Sequence, residues 1–218
     1  MSEEQQLEGQ EAPEQDTEER PGLDPETRER RARALAMIRT FGDPSLRSKA
    51  LEVTRFDEKL AEELRRMGQL MDDAIGLGLA ATQVGVMHRV LVYRVGPDAP
   101  LIAVVNPKLE WLSEDREAAE EGCLSLPGVA VDVERPVYAR IRAQDPDGEA
   151  MLIEASGLEA RVLQHEIDHL NGVLIIDRIP KEERREALRI LREGGDMLEP
   201  RSLRSGSDSR EDERVATG

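Results

Sequence analysis

The sequence predicts an α+β fold in which mixed or antiparallel sheets pack around a central helix carrying the segment HEIDH at residues 165–169. Three observations support this class. Apolar residues recur at helical spacing in residues 57–74 and again near residue 160, and short β-branched segments lie between them. The two kinds of segment do not alternate strictly, which argues against a doubly wound parallel sheet.

Two helices are predicted before the strands. The first opens with Asp24 as its N-cap and Pro25 at its first position, followed by the charged run 26–33. The second covers residues 57–74 and has an apolar stripe made of Leu60, Leu64, Met67, Leu70 and Met71. This stripe is typical of a helix that packs on a core.

Strands are predicted for short segments rich in β-branched residues and bounded by turn residues. They cover residues 89–95, 101–106, 129–133, 137–143, 150–154 and 173–176. The charged run 113–120 is expected to be a solvated loop. A third helix opens at Gly157 and ends near Asn171 and Gly172, a pair typical of helix C-caps, and a fourth covers residues 181–192.

The 218 residues are enough for one domain of ordinary size, which we expect at residues 25–195. Residues 1–24 and 196–218 are polar, lack apolar periodicity and are expected to be disordered tails. The formal net charge is -16, and residues 1–30, with eleven acidic and three basic side chains, contribute -8 of it.

The acidic balance excludes some classes of partner. A strongly negative chain is repelled by phosphate backbones and anionic lipids, so neither nucleic acid nor a membrane is expected to be a main partner. No apolar run is long enough to cross a bilayer, and the N-terminus does not resemble a targeting peptide. A single cysteine excludes an internal disulfide, and the expected location is the cytoplasm.

The HEIDH segment predicts a metal site. On a helix, side chains four residues apart lie on one face, so His165 and His169 can direct both rings at one ion. Glu166 follows the first histidine about a third of a turn around the axis, where it can reach a water beside the ion without ligating the ion. Glu166 is therefore a candidate general base.

Three candidates for a third ligand remain open from the residues alone. An extended metalloprotease pattern has Gly172 in place, but its last histidine position is Ile175. A downstream glutamate is the second candidate, from Glu182, Glu183 and Glu186. The third is Cys123, the only thiol, which follows Gly122, a residue that allows close backbone approach.

Three stretches of the sequence together resemble the peptide deformylase family. They are GLGLAATQ at residues 76–83, EGCLS at 121–125 and QHEIDH at 164–169. The resemblance extends from about residue 38 to residue 180 and leaves both tails outside. It implies hydrolysis of the N-formyl group from the formylmethionine of newly made polypeptides, with release of formate.

The resemblance also implies site roles. Cys123, His165 and His169 become the ligands of one divalent metal ion per chain, which is ferrous iron in the cell, with zinc, nickel or cobalt able to substitute. Glu166 becomes the general base and later the acid. The side-chain amide of Gln83 and the backbone N–H of Leu124 become the donors that stabilise the oxyanion.

The expected substrate-binding residues line up beside this centre. The glycine-rich segment can hold a peptide by backbone hydrogen bonds, and apolar side chains on the third helix lie near the metal face. They are Gly76, Leu77, Gly78, Gly122, Leu158 and Val162. Glu121 and Asp168 are expected to orient other side chains around the site.

Two other functions remain as alternatives. A zinc endopeptidase would use the same HExxH chemistry with a downstream glutamate, and an interaction protein would use its acidic tails. The partners expected under the deformylase interpretation are formylmethionyl nascent peptides, with a transient ribosome contact through the helix at residues 181–192. We expect the chain to act as a monomer.

Overall fold

The computed structural model describes residues 23–96, 98–194 and the short strand at 201–203. The described residues form four α-helices: α1 is Pro25–Leu35, α2 Glu58–Asp73, α3 Gly157–Leu170 and α4 Lys181–Glu193. They also form three short 3₁₀ helices, Pro44–Arg47, Ala81–Val84 and Ile175–Asp177. The strands of the same residues are β1 Gly78–Ala80, β2 Val90–Tyr93, β3 Ile102–Leu112, β4 Arg116–Gly122, β5 Val129–Pro136, β6 Tyr138–Gln144, β7 Ala150–Ser156 and β8 Arg201–Leu203.

Two sheets hold these strands. The larger has five strands in the order β1-β2-β3-β6-β7, and every neighbouring pair is antiparallel. The smaller has the order β4-β5-β8, with β4 antiparallel and β8 parallel to β5. The predicted α+β class, with antiparallel and mixed sheets around the metal helix, is therefore confirmed.

The five-stranded sheet is buried between α3 and α2. Successive side chains of β2 point to opposite faces of the sheet. Leu91 packs in the core cluster that contains Leu163 of α3, while Val92 packs in the cluster that contains Leu64 of α2. Leu163 and Ile167 of α3 are fully buried in the first of these clusters. A third cluster fills the space between the small sheet and α4. Helix α3 contacts both sheets, since it also packs against β5 of the smaller one.

Local sequence signals set the helix ends as expected. The Asp24 carboxylate accepts the N–H of Thr27 at 3.0 Å and begins α1. Helix α3 ends at Asn171, and Gly172 follows with φ +74°. A side chain at Gly172 would place its Cβ 2.7 Å from the carbonyl oxygen of Arg47, so only glycine fits this turn.

Two predicted elements are wrong. Residues 113–120 were expected to be a loop, but Arg116–Gly122 form β4, which pairs with β5 along its whole length. Residues 173–176 were expected to be a strand, but Ile175–Asp177 form a 3₁₀ helix. Strand β4 was not predicted because its residues are mostly charged and exposed. Residues 173–176 were predicted as a strand because they are apolar, but Ile175 and Ile176 are buried without pairing in a sheet.

Other differences concern extent. Strand β1 was not predicted, and β3 continues six residues beyond the expected end at residue 106. The predicted tails lie outside the described residues except for Leu23, Asp24 and the strand Arg201–Leu203. No helix in the described part of the chain is both long and apolar enough to cross a lipid bilayer.

Truncating the core side of α3 should destabilise the protein. Leu163 is 0% exposed, so Leu163→Ala removes buried methyl groups and leaves a cavity, which costs about 2–5 kcal/mol of unfolding free energy. The matched control is Leu152→Ala on β7, where leucine is 59% exposed, and a change below about 1 kcal/mol is expected. Urea unfolding measures both, and equal losses would contradict the packing described here.

Candidate metal centre

The two histidines of α3 point at the same place. The Nε2 atoms of His165 and His169 are 3.2 Å apart, and the ring centroids are separated by 4.9 Å. This arrangement follows from the spacing of four residues on a helix. Two ring nitrogens this close to each other need a proton or a cation between them, because two lone pairs repel.

Cys123 reaches the same point from another part of the fold. It follows the last residue of β4, and its Sγ lies 3.2 Å from Nε2 of His169. The donor atoms of Cys123, His165 and His169 all lie within 4.8 Å of one another, and no other such group of three occurs in the described residues. Of the three candidates for the third ligand, the cysteine is the one that lies beside both rings.

The donor set fits a divalent transition metal. Bond lengths of about 2.0–2.3 Å in a tetrahedron separate neighbouring donor atoms by roughly 3.3–3.6 Å, close to the distances seen here. One thiolate and two imidazoles suit iron, zinc, cobalt or nickel better than magnesium or calcium. The three residues leave a fourth position for a water or a substrate atom.

Glu121 orients the first ligand. One oxygen of its carboxylate accepts a hydrogen bond from Nδ1 of His165 at 2.9 Å, which directs Nε2 of His165 toward Cys123 and His169. Arg135 donates to both carboxylate oxygens at 2.6 and 2.9 Å, and Arg161 donates to one of them at 2.8 Å. Glu121 is thus held on β4 by two arginines and a histidine, which gives the expected orienting contact a specific partner.

Asp168 extends this network on α3. Its carboxylate accepts Arg135 at 2.9 Å and also pairs with Arg178. Arg135 is almost fully buried and bridges Glu121 and Asp168. The sequence did not indicate that Arg135 bridges these two carboxylates, because a single arginine in a strand segment forms no recognisable motif.

Burial and charge set the protonation of these groups. Burial opposes ionisation of Glu121, but hydrogen bonds from His165 and Arg135 outweigh it and lower the pKa of Glu121 to about 2. Burial lowers the pKa of His169 well below its usual value, so this ring is neutral, the form that binds metals. Burial also disfavours charge on His165, but Cys123 and Glu121 raise its pKa, so metal binding competes with a proton there.

Glu166 lies against the glycine-rich segment. A Cβ on Gly78 would be 2.5 Å from Oε1 of Glu166, so this close approach requires glycine. The carboxylate is buried, and its Oε2 has no hydrogen-bond partner among the described residues. Burial is the main reason that the pKa of Glu166 rises to about 7, and a carboxylate with that pKa can accept and return a proton near neutral pH.

Hydrogen bonds hold the side chain of Gln83 close to Cys123. Its Oε1 accepts the backbone N–H of Ala80 at 2.8 Å, and its Nε2 donates to Oγ of Ser125 at 3.2 Å. The same Nε2 is 4.0 Å from Sγ of Cys123. The amide donor is therefore held beside the metal centre, and Leu124 lies next to the cysteine in the chain.

A cleft of about 310 Å³ opens onto these groups. All the residues expected to bind substrate line it: Gly76, Leu77, Gly78, Gly122, Leu158 and Val162. Leu77 and Leu158 are about half exposed, as expected for side chains that a bound ligand would cover, whereas Val162 is buried. The cleft has further lining residues that were not predicted to bind substrate: Arg31 of α1, Ile75 just beyond α2, Glu120, Leu126, Gly128, Val129 and Arg161.

Comparison with known proteins agrees with this geometry. The family model described as polypeptide deformylase matches residues 35–185. The peptide deformylase of Thermotoga neapolitana is 49% identical over 147 residues, which cover 67% of this chain and 88% of that protein.

Solved structures give the same result. A peptide deformylase from Synechococcus elongatus in complex with actinonin has a TM-score of 0.68 and 40% identity, covering 76% of this chain and 91% of that one. The peptide deformylase from Thermotoga maritima has a TM-score of 0.63 and 48% identity over 66% of this chain and 96% of that one. With two histidines and a cysteine gathered beside a buried glutamate, and with matches that span most of the relatives' lengths, this chain belongs to the polypeptide deformylase family.

Proposed function

We propose that this protein hydrolyses the N-formyl group of formylmethionine at the start of newly made polypeptides and releases formate. The observation that carries this function is the convergence of Cys123, His165 and His169 beside the buried carboxylate of Glu166, at a cleft of about 310 Å³. Family membership supports the same activity.

The chain's own residues can perform the proton transfers. A divalent ion held by the cysteine and the two histidines would polarise the formyl carbonyl and lower the pKa of a water molecule. Glu166 accepts a proton from the water as its oxygen bonds to the formyl carbon. It then gives this proton to the departing nitrogen as the C–N bond breaks. The products are formate and a free amino terminus.

Two donors would stabilise the charge that develops on the formyl oxygen. The Nε2 of Gln83 is already fixed beside the cysteine, and the backbone N–H of Leu124 follows the cysteine directly. Donors fixed in advance need no reorganisation when the charge appears. The segment formed by Gly76, Leu77 and Gly78 would hold the peptide backbone along the cleft. Leu77, Leu158 and Val162 would form the apolar pocket for the methionine side chain, with Gly122 as a further substrate-binding residue.

Several finer points belong to the same proposal. Ferrous iron is the ion proposed for the cell, because thiolate and imidazole donors suit it and the family resemblance implies it. Residues 25–195 form the proposed catalytic domain, with both tails outside it. We place the protein in the cytoplasm as a monomer, near nascent chains. A transient ribosome contact through α4 has little support from charge, since Arg185 and Arg189 pair with glutamates of the same helix and Arg184 pairs with Asp177.

Removing the base should abolish turnover without removing the metal. Glu166→Gln keeps the shape of the side chain but cannot accept the proton, so kcat for formate release from formyl-Met-Ala-Ser should fall about 10²-fold or more. Metal content per chain, measured after anaerobic purification, should stay unchanged, because Glu166 is not a ligand. A wild-type protein that releases no formate, or a variant that retains full activity, would overturn the proposal.

Removing the thiol separates this function from that of a zinc endopeptidase. Cys123→Ser should lose tightly bound metal, because the hydroxyl of serine is a far poorer ligand than a thiolate. Glu182→Gln on α4 is the matched control and should keep the metal. The opposite pattern, with metal retained in the cysteine variant and lost in the glutamate variant, would favour the endopeptidase.

Removing the amide donor should affect kcat more than stability. Gln83→Ala should lower kcat about 10²- to 10³-fold through loss of one oxyanion donor. The control is Gln164→Ala, another buried glutamine, whose Nε2 donates to the carbonyl of Pro136 at 3.0 Å, away from the cleft. Thermal unfolding should shift similarly in both variants, whereas kcat of the folded enzyme should fall only in the first. Equal kcat values would exclude the donor role.

A further inference from the structure

The buried ion pairs beside the metal centre continue to the surface of the protein. They end at Arg178, which lies shortly before α4 and outside the residues that line the cleft, and whose side chain is 47% exposed. We propose that Arg178 is a positioning residue for the metal centre and acts on it through a series of buried charged side chains. The series consists of Asp168, Arg135 and Glu121 and ends at the ligand His165. The inference concerns how the centre holds its ion, so it goes beyond the reaction proposed above.

Every step of this series is a direct contact. The Nε of Arg178 donates to Oδ2 of Asp168 at 3.0 Å, and its Nη2 pairs with Oδ1. The Nη1 of Arg135 donates to the same Oδ2 at 2.9 Å. The other two nitrogens of Arg135 donate to the two oxygens of Glu121 at 2.6 and 2.9 Å, and Nδ1 of His165 donates to Glu121 at 2.9 Å. A surface arginine is therefore linked to a metal ligand by side-chain contacts alone.

Asp168 needs more than one positive partner because of where it lies. Its side chain is 9% exposed, and it belongs to the last turn of α3, which ends at Leu170. The carbonyl groups at the C-terminal end of a helix carry partial negative charge, so they disfavour a carboxylate there. Burial adds a further cost unless the charge is paired and hydrogen-bonded. Arg178 meets this need by contacting both carboxylate oxygens, whereas Arg135 contacts one.

Arg135 is shared between two carboxylates, so a change at one should reach the other. Without Arg178, Asp168 would keep Arg135 as its one ion-pair partner among the described residues. The charge of Asp168 would then be less balanced and would draw the guanidinium away from Glu121. Because Glu121 orients the ring of His165, a looser Glu121 leaves that ligand less firmly held. A second arginine also donates to Glu121, so the loss should be partial.

A neighbouring ion pair provides the matched control. Arg184 of α4 is 45% exposed, close to the 47% of Arg178, and pairs with Asp177 at 3.2 Å. Among the described residues, Asp177 forms ion pairs with Arg47 and Arg184, and neither arginine pairs with Asp168. Exposed ion pairs of this kind contribute little. Removing Arg184 therefore removes a surface arginine of similar exposure without touching the buried series.

The test follows the release of Co²⁺ from the loaded full-length protein after addition of excess EDTA. Absorption by the cobalt–thiolate bond reports the ion that is still bound. Arg178→Gln should release cobalt about threefold to tenfold faster than the wild type, which is less than the roughly 10- to 100-fold loss of affinity typical when a direct partner of a ligand is removed. Arg178→Lys should release cobalt at an intermediate rate, and Arg184→Gln should keep the wild-type rate.

A double-mutant cycle tests the route through Glu121. If Arg178 acts through this carboxylate, adding Arg178→Gln to Glu121→Gln should change the release rate by less than about twofold. A general loosening of the fold would instead act in both backgrounds. The inference is overturned by the full effect of Arg178→Gln in the Glu121→Gln background, or by equal rates in Arg178→Gln, Arg184→Gln and the wild type.

The lysine variants keep the test decisive if Arg178→Gln does not fold. Faster release from Arg178→Lys than from Arg184→Lys would support the inference, and equal rates would overturn it. Cobalt release needs no substrate. Absence of formate release by the wild-type enzyme would therefore overturn the proposed function and leave this inference intact.

Discussion

The carboxylate of Glu121 connects the two parts of the chain on which the metal centre depends. It lies on β4 two residues before Cys123, and it accepts a hydrogen bond from His165 of α3. Arg135 and Arg161 hold it in place from either side. Such a buried network adds little net stability compared with an apolar core, but losing one partner costs about 3–5 kcal/mol. Other arrangements of strand and helix are therefore disfavoured, and the thiol stays beside the two rings.

A second constraint is the contact between Glu166, the candidate base, and the glycine-rich segment that would bind the peptide. Because Gly78 lacks a side chain, the carboxylate of Glu166 can lie directly against the β1 backbone. The segment that would hold a peptide and the group that would accept the proton are thus in contact. A peptide aligned on one is aligned on the other, and correct alignment of the reacting groups supplies much of the rate enhancement of an enzyme.

The sequence predicted the elements whose cause is local. Helix α3, its C-cap and its metal-binding face follow from residues near one another in the chain, and caps such as Asp24 follow from single side chains. Strand β4 was missed because its residues are mostly charged and exposed, and only pairing with β5 identifies it as a strand.

The residues of the site likewise fall into those predicted from local sequence and those that depend on distant contacts. The positions of the two histidines and of Glu166 follow from one helix, whereas Cys123 was only one of three candidates until the family resemblance was considered. Arg135 and Arg31 were not found at all. Arg135 contacts Asp168 across 33 residues of sequence and Arg31 contacts Ala74 across 43, and neither contact leaves a local pattern.

Helix α1 belongs to a different part of the packing from the groups that hold the metal centre. The helix packs on α2, where the Nε of Arg31 donates to the carbonyl oxygen of Ala74, whereas Glu121 and Arg135 pair with each other and with residues of α3. Since the Glu121 network ties β4 and β5 to α3, the geometry of the metal centre is set by those elements and not by the packing of α1.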